Sequence, residues 1–167
     1  MYRFSWTERM VGISLSVVGI MVALVQGGLI RYTSKLLGNN KSVFIGLLMY
    51  ATGMFLFAFA SQSWMMYAFL IPYCMGGIAG PALQSIITSH VPANEQGELQ
   101  GALTSLMSVT SIFGPILMTN LFYFFTSGKT QLQFPGISFF VGGLMMLGSC
   151  VVSYLALKNE SHAIVTE

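Results

Sequence analysis

The polar side chains inside the apolar parts of this sequence are the first place to look for chemistry. They include the amides and phenols of Gln26, Gln84, Gln100, Asn120, Tyr50 and Tyr73. No apolar run has an Asp, Glu, Lys, Arg or His in its interior. A nucleophile beside a base, or a set of charged metal ligands, is therefore not predicted. We expect a protein that is not an enzyme and that uses no cofactor or metal.

Neutral groups of this kind can bind a ligand inside a helix bundle, where a few polar groups among aromatic rings set its orientation. The candidate substrate-binding residues are Gln26, Tyr50, Tyr73 and Asn120. The alternative is structural, because amides also hydrogen-bond between membrane helices and rings pack on apolar neighbours. The residue types alone leave both interpretations open.

The composition identifies the class of protein. Of the 167 residues, 54% are hydrophobic and 7% are charged, and the mean hydropathy is +0.73. A soluble domain has about 25% charged residues, so the sequence predicts an integral membrane protein in a lipid bilayer. Seven basic and five acidic residues give a net charge of +2, which leaves no basic patch for nucleic acid.

Five apolar segments set the predicted architecture. They lie approximately at residues 11–30, 42–60, 64–88, 98–125 and 137–157. About 20 apolar residues are enough for a helix to cross the hydrocarbon core. We therefore predict an all-α, polytopic membrane helix bundle with a single membrane domain over residues 1–167. Pro72 and Pro81 should interrupt the third span, which we expect to pack inside the bundle.

Small residues mark the predicted helix contacts. Pairs of glycines four residues apart let two membrane helices approach closely. The candidate helix-packing or gating residues are Gly76, Gly80, Pro81, Gly97, Gly101, Gly114 and Pro115. On this interpretation a bulky side chain at Gly80 or Gly101 disrupts packing, whereas enlargement at Gly53 is milder.

The fourth span has a recognisable start and one polar face. Asn94 is the expected N-cap, with Glu95 and Glu98 near the positive end of the helix dipole. At about 100° per residue, small and polar residues share one arc of this helix. They are Gly101, Thr104, Ser105, Ser108, Ser111 and Pro115.

Three motifs carry a family resemblance. They are Gly80-Pro81-Ala82-Leu83-Gln84, the run Glu95-Gln96-Gly97-Glu98-Leu99-Gln100-Gly101, and Gly114-Pro115. In this order they resemble the tenth and eleventh helices of the tetracycline-efflux (TCR/Tet) transporters of the major facilitator superfamily. The resemblance runs from about Phe4 to the end of the last span, which corresponds to the family's eighth to twelfth helices.

The resemblance implies a partial major facilitator C-terminal half in the bacterial inner membrane. Gln26 matches a glutamine of the family's eighth helix, and Tyr50 stands where several tetracycline/proton antiporters have an acidic residue in the ninth. The intact family exports drugs by alternating access of two six-helix bundles. The expected function is thus that of a partial drug efflux transporter, inactive without the missing N-terminal six-helix bundle. The alternative is a small membrane scaffold or assembly subunit that transports nothing.

The charges predict the orientation of the chain. The basic residues on the side of the C-terminus are Arg31, Lys35, Lys41 and Lys158, and those on the other side are Arg3, Arg9 and Lys129. The positive-inside rule then places the C-terminus in the cytoplasm. Reporter fusions after Lys158 and within Thr126–Gly136 should show opposite sidedness. The same sidedness for both fusions would contradict a bundle of five spans.

Overall fold

The computed structural model describes residues 7–127 and 134–163, which are almost entirely helical. The elements in chain order are α1 (Glu8–Leu24), a π-helical segment (Val25–Leu29), α2 (Ile30–Phe59), α3 (Ser63–Gly76), α4 (Ala79–Ser89), α5 (Gln96–Thr126) and α6 (Ile137–Ala163). Most of the predicted loop before α6 lies outside the described residues. So do Arg3, Lys129 and the side chains of Arg31, Lys35 and Lys158, on which the predicted orientation depends.

Five helices in the described ranges are long and apolar enough to cross a membrane. They comprise Glu8–Gly28, Leu36–Phe59, Ser63–Ser89, Gln96–Thr126 and Ile137–Leu157. The all-α membrane bundle expected from the sequence is confirmed. The reason is that apolar runs of this length satisfy all their backbone hydrogen bonds internally when helical, as the hydrocarbon core requires.

The second span is the centre of the bundle. Helix α2 packs against α3, α4 and α6, and it supplies the fully buried Val43, Ala51 and Ala58. Two apolar clusters result. One joins Phe57 of α2 to α3, and the other joins Val43 to α4. Helices α1 and α5, by contrast, contain no buried residue.

The turn expected between the first two spans takes a different form from the predicted loop. The chain is helical on both sides of Gly38, where φ is +75° and ψ is 163°. Glycine populates this left-handed region without steric cost, so it can break the helix at one residue. Ser42 Oγ donates to the Gly38 carbonyl at 2.7 Å. Asn39 Nδ2 donates to Ser85 Oγ at 2.8 Å and so connects α2 to α4.

The third span is interrupted between its two prolines. Helix α3 ends at Gly76 and α4 begins at Ala79. At the break the Gly77 amide donates to the Cys74 carbonyl at 2.9 Å, a tighter turn than an α-helix makes. Pro81 falls in the first turn of α4, where its missing amide removes no helical bond. Both halves of the span pack on α2.

Glycines do bring helices together, but mainly at positions that the spacing did not indicate. A Cβ atom at Gly46 would lie 2.7 Å from the Ala79 nitrogen, and one at Gly53 would lie 2.8 Å from the Tyr73 Cα. The expectation that enlargement at Gly53 is mild is therefore wrong. Within the described residues, an added Cβ meets nothing within 4 Å at Gly80, Gly97, Gly101 or Gly114.

The start of the fourth span also differs from the prediction. Helix α5 begins at Gln96, and Glu95 rather than Asn94 occupies the cap position without a side-chain cap bond. The turn before it is closed by the Glu95 amide, which donates to the Pro92 carbonyl at 3.0 Å. The prediction of Asn94 as the N-cap is wrong by one residue, because the turn closed by the Glu95 amide delays the start of the helix.

Alanine at Gly53 should lower the free energy of unfolding by about 1–3 kcal/mol, because the added methyl group overlaps the α3 backbone. Alanine at Gly101 should be neutral or slightly stabilising, since that site is open and alanine favours helix. Thermal unfolding of the purified variants in detergent measures both. Equal melting temperatures for the two variants would contradict the close crossing of α2 and α3.

Candidate functional site

Tyr50 and Tyr73, two of the four candidate substrate-binding residues, lie against each other. Their ring centroids are 5.1 Å apart with an interplanar angle of 76°. Aromatic rings favour this edge-to-face arrangement because the positive edge of one ring meets the negative face of the other. Tyr50 lies on α2 and Tyr73 on α3, so the pair joins two membrane spans at the centre of the bundle.

A repeated local pattern explains how the two rings come so close. Each tyrosine is followed three residues later by a glycine on the same helix face, in Tyr50–Gly53 and Tyr73–Gly76. A Cβ at Gly76 would lie 2.5 Å from Tyr50 Cγ, and one at Gly53 would lie 2.8 Å from Tyr73 Cβ. Each helix thus leaves a gap that the tyrosine of the other helix occupies.

Further aromatic residues extend the pair towards the last helix. The Phe57 ring lies 5.6 Å from the Tyr73 ring and 5.7 Å from the Phe139 ring, measured between centroids. Phe57 is buried and packs in one apolar cluster with Leu70. The rings therefore connect α2, α3 and α6 in a single aromatic group.

Gln26 lies on the π-helical segment that ends the first span. Its side chain is exposed, whereas the preceding Val25 is buried in the cluster that contains Phe57 and Cys74. A π-helical turn inserts a residue into the helix and shifts the faces on either side of it, and such turns are frequent at functional sites. The amide is presented beside the buried cluster and not within it.

Asn120 occupies a different part of the molecule. It lies on the exposed surface of α5, and its Nδ2 donates to the Ile116 carbonyl of the same helix at 2.8 Å. Among the described residues, neither Asn120 nor Gln26 forms a hydrogen bond with Tyr50 or Tyr73. The structure brings together two of the four predicted substrate-binding residues and leaves the other two on separate surfaces.

The polar face of α5 is also exposed. Its hydroxyl groups bond to their own helix, with Ser105 Oγ donating to the Gly101 carbonyl at 2.8 Å and Ser108 Oγ to the Thr104 carbonyl at 2.9 Å. The main contact of α5 with the rest of the described chain is α6. There Ser138 Oγ donates to the Met118 carbonyl at 3.1 Å.

A model of the Major Facilitator Superfamily matches residues 1–167. The chain belongs to the Major Facilitator Superfamily. It is 43% identical over 120 residues to the class E tetracycline resistance protein of Escherichia coli, covering 72% of this chain and 30% of that protein. It is also 36% identical over 145 residues to the class C protein of Escherichia coli, covering 87% and 35% respectively.

A third relative is the class G tetracycline resistance protein of Vibrio anguillarum, which is 39% identical over 120 residues, 72% of this chain and 30% of that protein. The similarity to tetracycline resistance proteins expected from the motifs is thus confirmed. The chain spans about a third of the length of the curated relatives it matches. No solved structure matches it significantly.

In this superfamily member, sequence reasoning missed Gly53 and Phe57, which hold the tyrosine pair in place. The signal for Gly53 was present, since the Tyr-x-x-Gly pattern occurs on both α2 and α3. Phe57 carries no such mark, because phenylalanine is frequent throughout the spans. The site offers ring faces, hydroxyl groups and amides, which can bind a ligand by apolar contact and hydrogen bonds.

A double-mutant cycle on Tyr50→Ala and Tyr73→Ala should give a coupling energy of about 0.5–1.5 kcal/mol, the range for interacting rings. A matched cycle on Tyr50→Ala and Leu106→Ala should give a coupling near zero, because Leu106 is exposed on α5. Unfolding in mixed micelles measures all the variants. Additive effects in the tyrosine cycle would contradict the observed ring contact.

Proposed function

We propose that this chain is part of a drug efflux transporter resembling the tetracycline/proton antiporters. The observation that carries the proposal is the sequence match: proteins named for tetracycline resistance are 36–43% identical to it over 120–145 residues. Transport by alternating access needs two bundles that move around a central site. The partner in this proposal is an N-terminal six-helix bundle, and the cargo is a tetracycline-like molecule.

The proposed binding contacts are those of the candidate site. Tyr50 and Tyr73 supply adjacent ring faces, and Gln26 and Asn120 supply exposed amides. We assign all four to contacts at separate points along a substrate pathway, where rings contact the flat part of a drug and amides bond to its polar groups. The opposite side would come from the second bundle.

The polar face of α5 is exposed in the described chain. This exposure favours another protein surface or water, and not lipid, as the neighbour of that face. Hydroxyl groups form no hydrogen bonds with lipid tails, although a hydroxyl that donates to the backbone of its own helix is tolerated in the membrane. Small residues such as Gly101 and Ser108 also permit close approach of another helix. We therefore assign this face, with Gly97, Gly114 and Pro115, to contact with the second bundle or to the substrate pathway.

Proton coupling is assigned to residues outside this chain. An ion-coupled transporter uses a titratable group at membrane depth, where protonation links substrate binding to the gradient. Glu8, Glu95 and Glu98 lie at helix starts, and Glu160 lies near the end of α6. The phenol of Tyr50 is a poor substitute for a carboxylate, because a free phenol has a pKa of about 10. The chain alone is therefore proposed to be inactive in efflux, in the bacterial inner membrane.

The proposal is tested by tetracycline accumulation in a drug-sensitive bacterium before and after collapse of the proton gradient. The 167-residue chain alone should not lower accumulation. A chimera in which the chain replaces the matching third of the class E resistance protein should lower it, and an uncoupler should abolish the effect. Tyr73→Ala in the chimera should weaken export, whereas Leu106→Ala should not.

Two outcomes would contradict the proposal in different ways. Uncoupler-sensitive exclusion of tetracycline by the chain alone would show that no second bundle is needed. A chimera that inserts in the membrane at normal levels and exports nothing would contradict the proposed efflux function. It would favour the alternative of a membrane scaffold.

A further inference from the structure

A cavity of about 310 Å³ lies between α1, α2, α3 and α6. Helix α1 contributes Ser14 and Val18 to its lining, and α3 contributes Leu70 and Tyr73. The cavity is distinct from the exposed amides of Gln26 and Asn120, neither of which lines it. Residues of all four helices line this cavity.

The lining of this cavity selects the chemistry of a ligand. It contains no charged residue and is largely apolar, with the Phe57 and Phe139 rings 5.7 Å apart between centroids. The hydroxyl-bearing side chains of the lining are Ser14, Tyr67 and Tyr73. Ser14 Oγ donates to the Val11 carbonyl at 2.8 Å, so its lone pairs are left to accept a hydrogen bond. Such a wall suits an uncharged aromatic molecule with a donor group that reaches Ser14.

The volume sets the size of that molecule. A dry apolar cavity of about 150 Å³ binds benzene, so a cavity of 310 Å³ suits two or three fused rings. It is too small for another membrane helix, because one helical turn about 10 Å wide and 5.4 Å high occupies roughly 400 Å³. A small molecule fits the space better than a segment of protein.

The position of the cavity indicates the route of entry. Phe57 lies two residues before the end of α2 at Phe59, and Phe139 lies two residues after the start of α6 at Ile137. At 1.5 Å per residue, both rings are about 3 Å from their helix ends. The cavity thus lies in the half of the bilayer where α3 and α6 begin. Its α1 wall is exposed, since Leu15 on that wall has a relative exposure of 66%.

We propose that this cavity is a binding site for an uncharged, flat molecule of two or three fused aromatic rings that enters from the lipid between α1 and α3. The site shares Tyr73 with the proposed substrate contacts, but its ligand is smaller than the proposed cargo and its binding does not require the second bundle of an intact transporter. Aromatic faces of Phe57, Tyr73 and Phe139 hold the rings, and Ser14 accepts a hydrogen bond from the ligand's donor group.

Photolabelling tests the site on the full 167-residue chain in phosphatidylcholine nanodiscs. An azidoanthracene that also has an amino group is the label, aminoanthracene is the competitor, and peptide mapping by mass spectrometry locates the adduct. We expect adducts on α1 and α3 around Val18 and Leu70, and loss of these adducts with excess competitor. Uncompeted labelling spread over lipid-facing surfaces such as α5 would overturn the proposal, because it indicates partition into lipid only.

Variants that fill the cavity from opposite walls complete the test. Val18→Trp alters α1, which contains no buried residue, and should remove the competed adducts without unfolding the chain. Leu70→Trp should have the same effect from the α3 wall. Leu106→Trp, on exposed α5, should leave labelling unchanged. Wild-type labelling of a folded Val18→Trp chain would overturn the proposal even if the Leu70→Trp chain fails to fold.

Discussion

The crossing of α2 over α3 depends on a reciprocal fit between tyrosine and glycine. Gly53 leaves room for Tyr73 and Gly76 leaves room for Tyr50, so each helix receives a ring from the other. Membrane helices gain little from the hydrophobic effect against each other, and close van der Waals contact is what holds them together. This contact places the tyrosine pair, and it also sets the position of Phe57 beside α6.

Interruptions within the spans shape the surfaces around this crossing. The π-helical segment at Val25–Leu29 keeps Val25 in the core while Gln26 faces outward. The break between Gly76 and Ala79 separates the half of the third span that packs at Phe57 from the half that packs at Val43. Irregular backbone at membrane depth is tolerated where protein covers it, and α2 provides that cover.

The chemistry of the site is neutral throughout. Rings, hydroxyl groups and amides can bind an uncharged or weakly polar ligand, but a proton gradient acts on a protein through groups that change charge. The match over the whole chain shows the family, whereas the cargo and the proton coupling are proposed for a transporter that also contains a second bundle.

The sequence by itself determined the membrane class, the helical architecture and the family resemblance, because hydropathy and short motifs are local properties of the chain. It also singled out Tyr50, Tyr73 and Gly76. Only the tertiary structure decided that Gly46 and Gly53 are close-contact positions and that Gly80 and Gly101 are open in the described chain. Spacing along one helix defines a face, but which face meets which neighbour depends on the packing of all the helices together, as does the separation of Gln26 and Asn120 from the tyrosine pair.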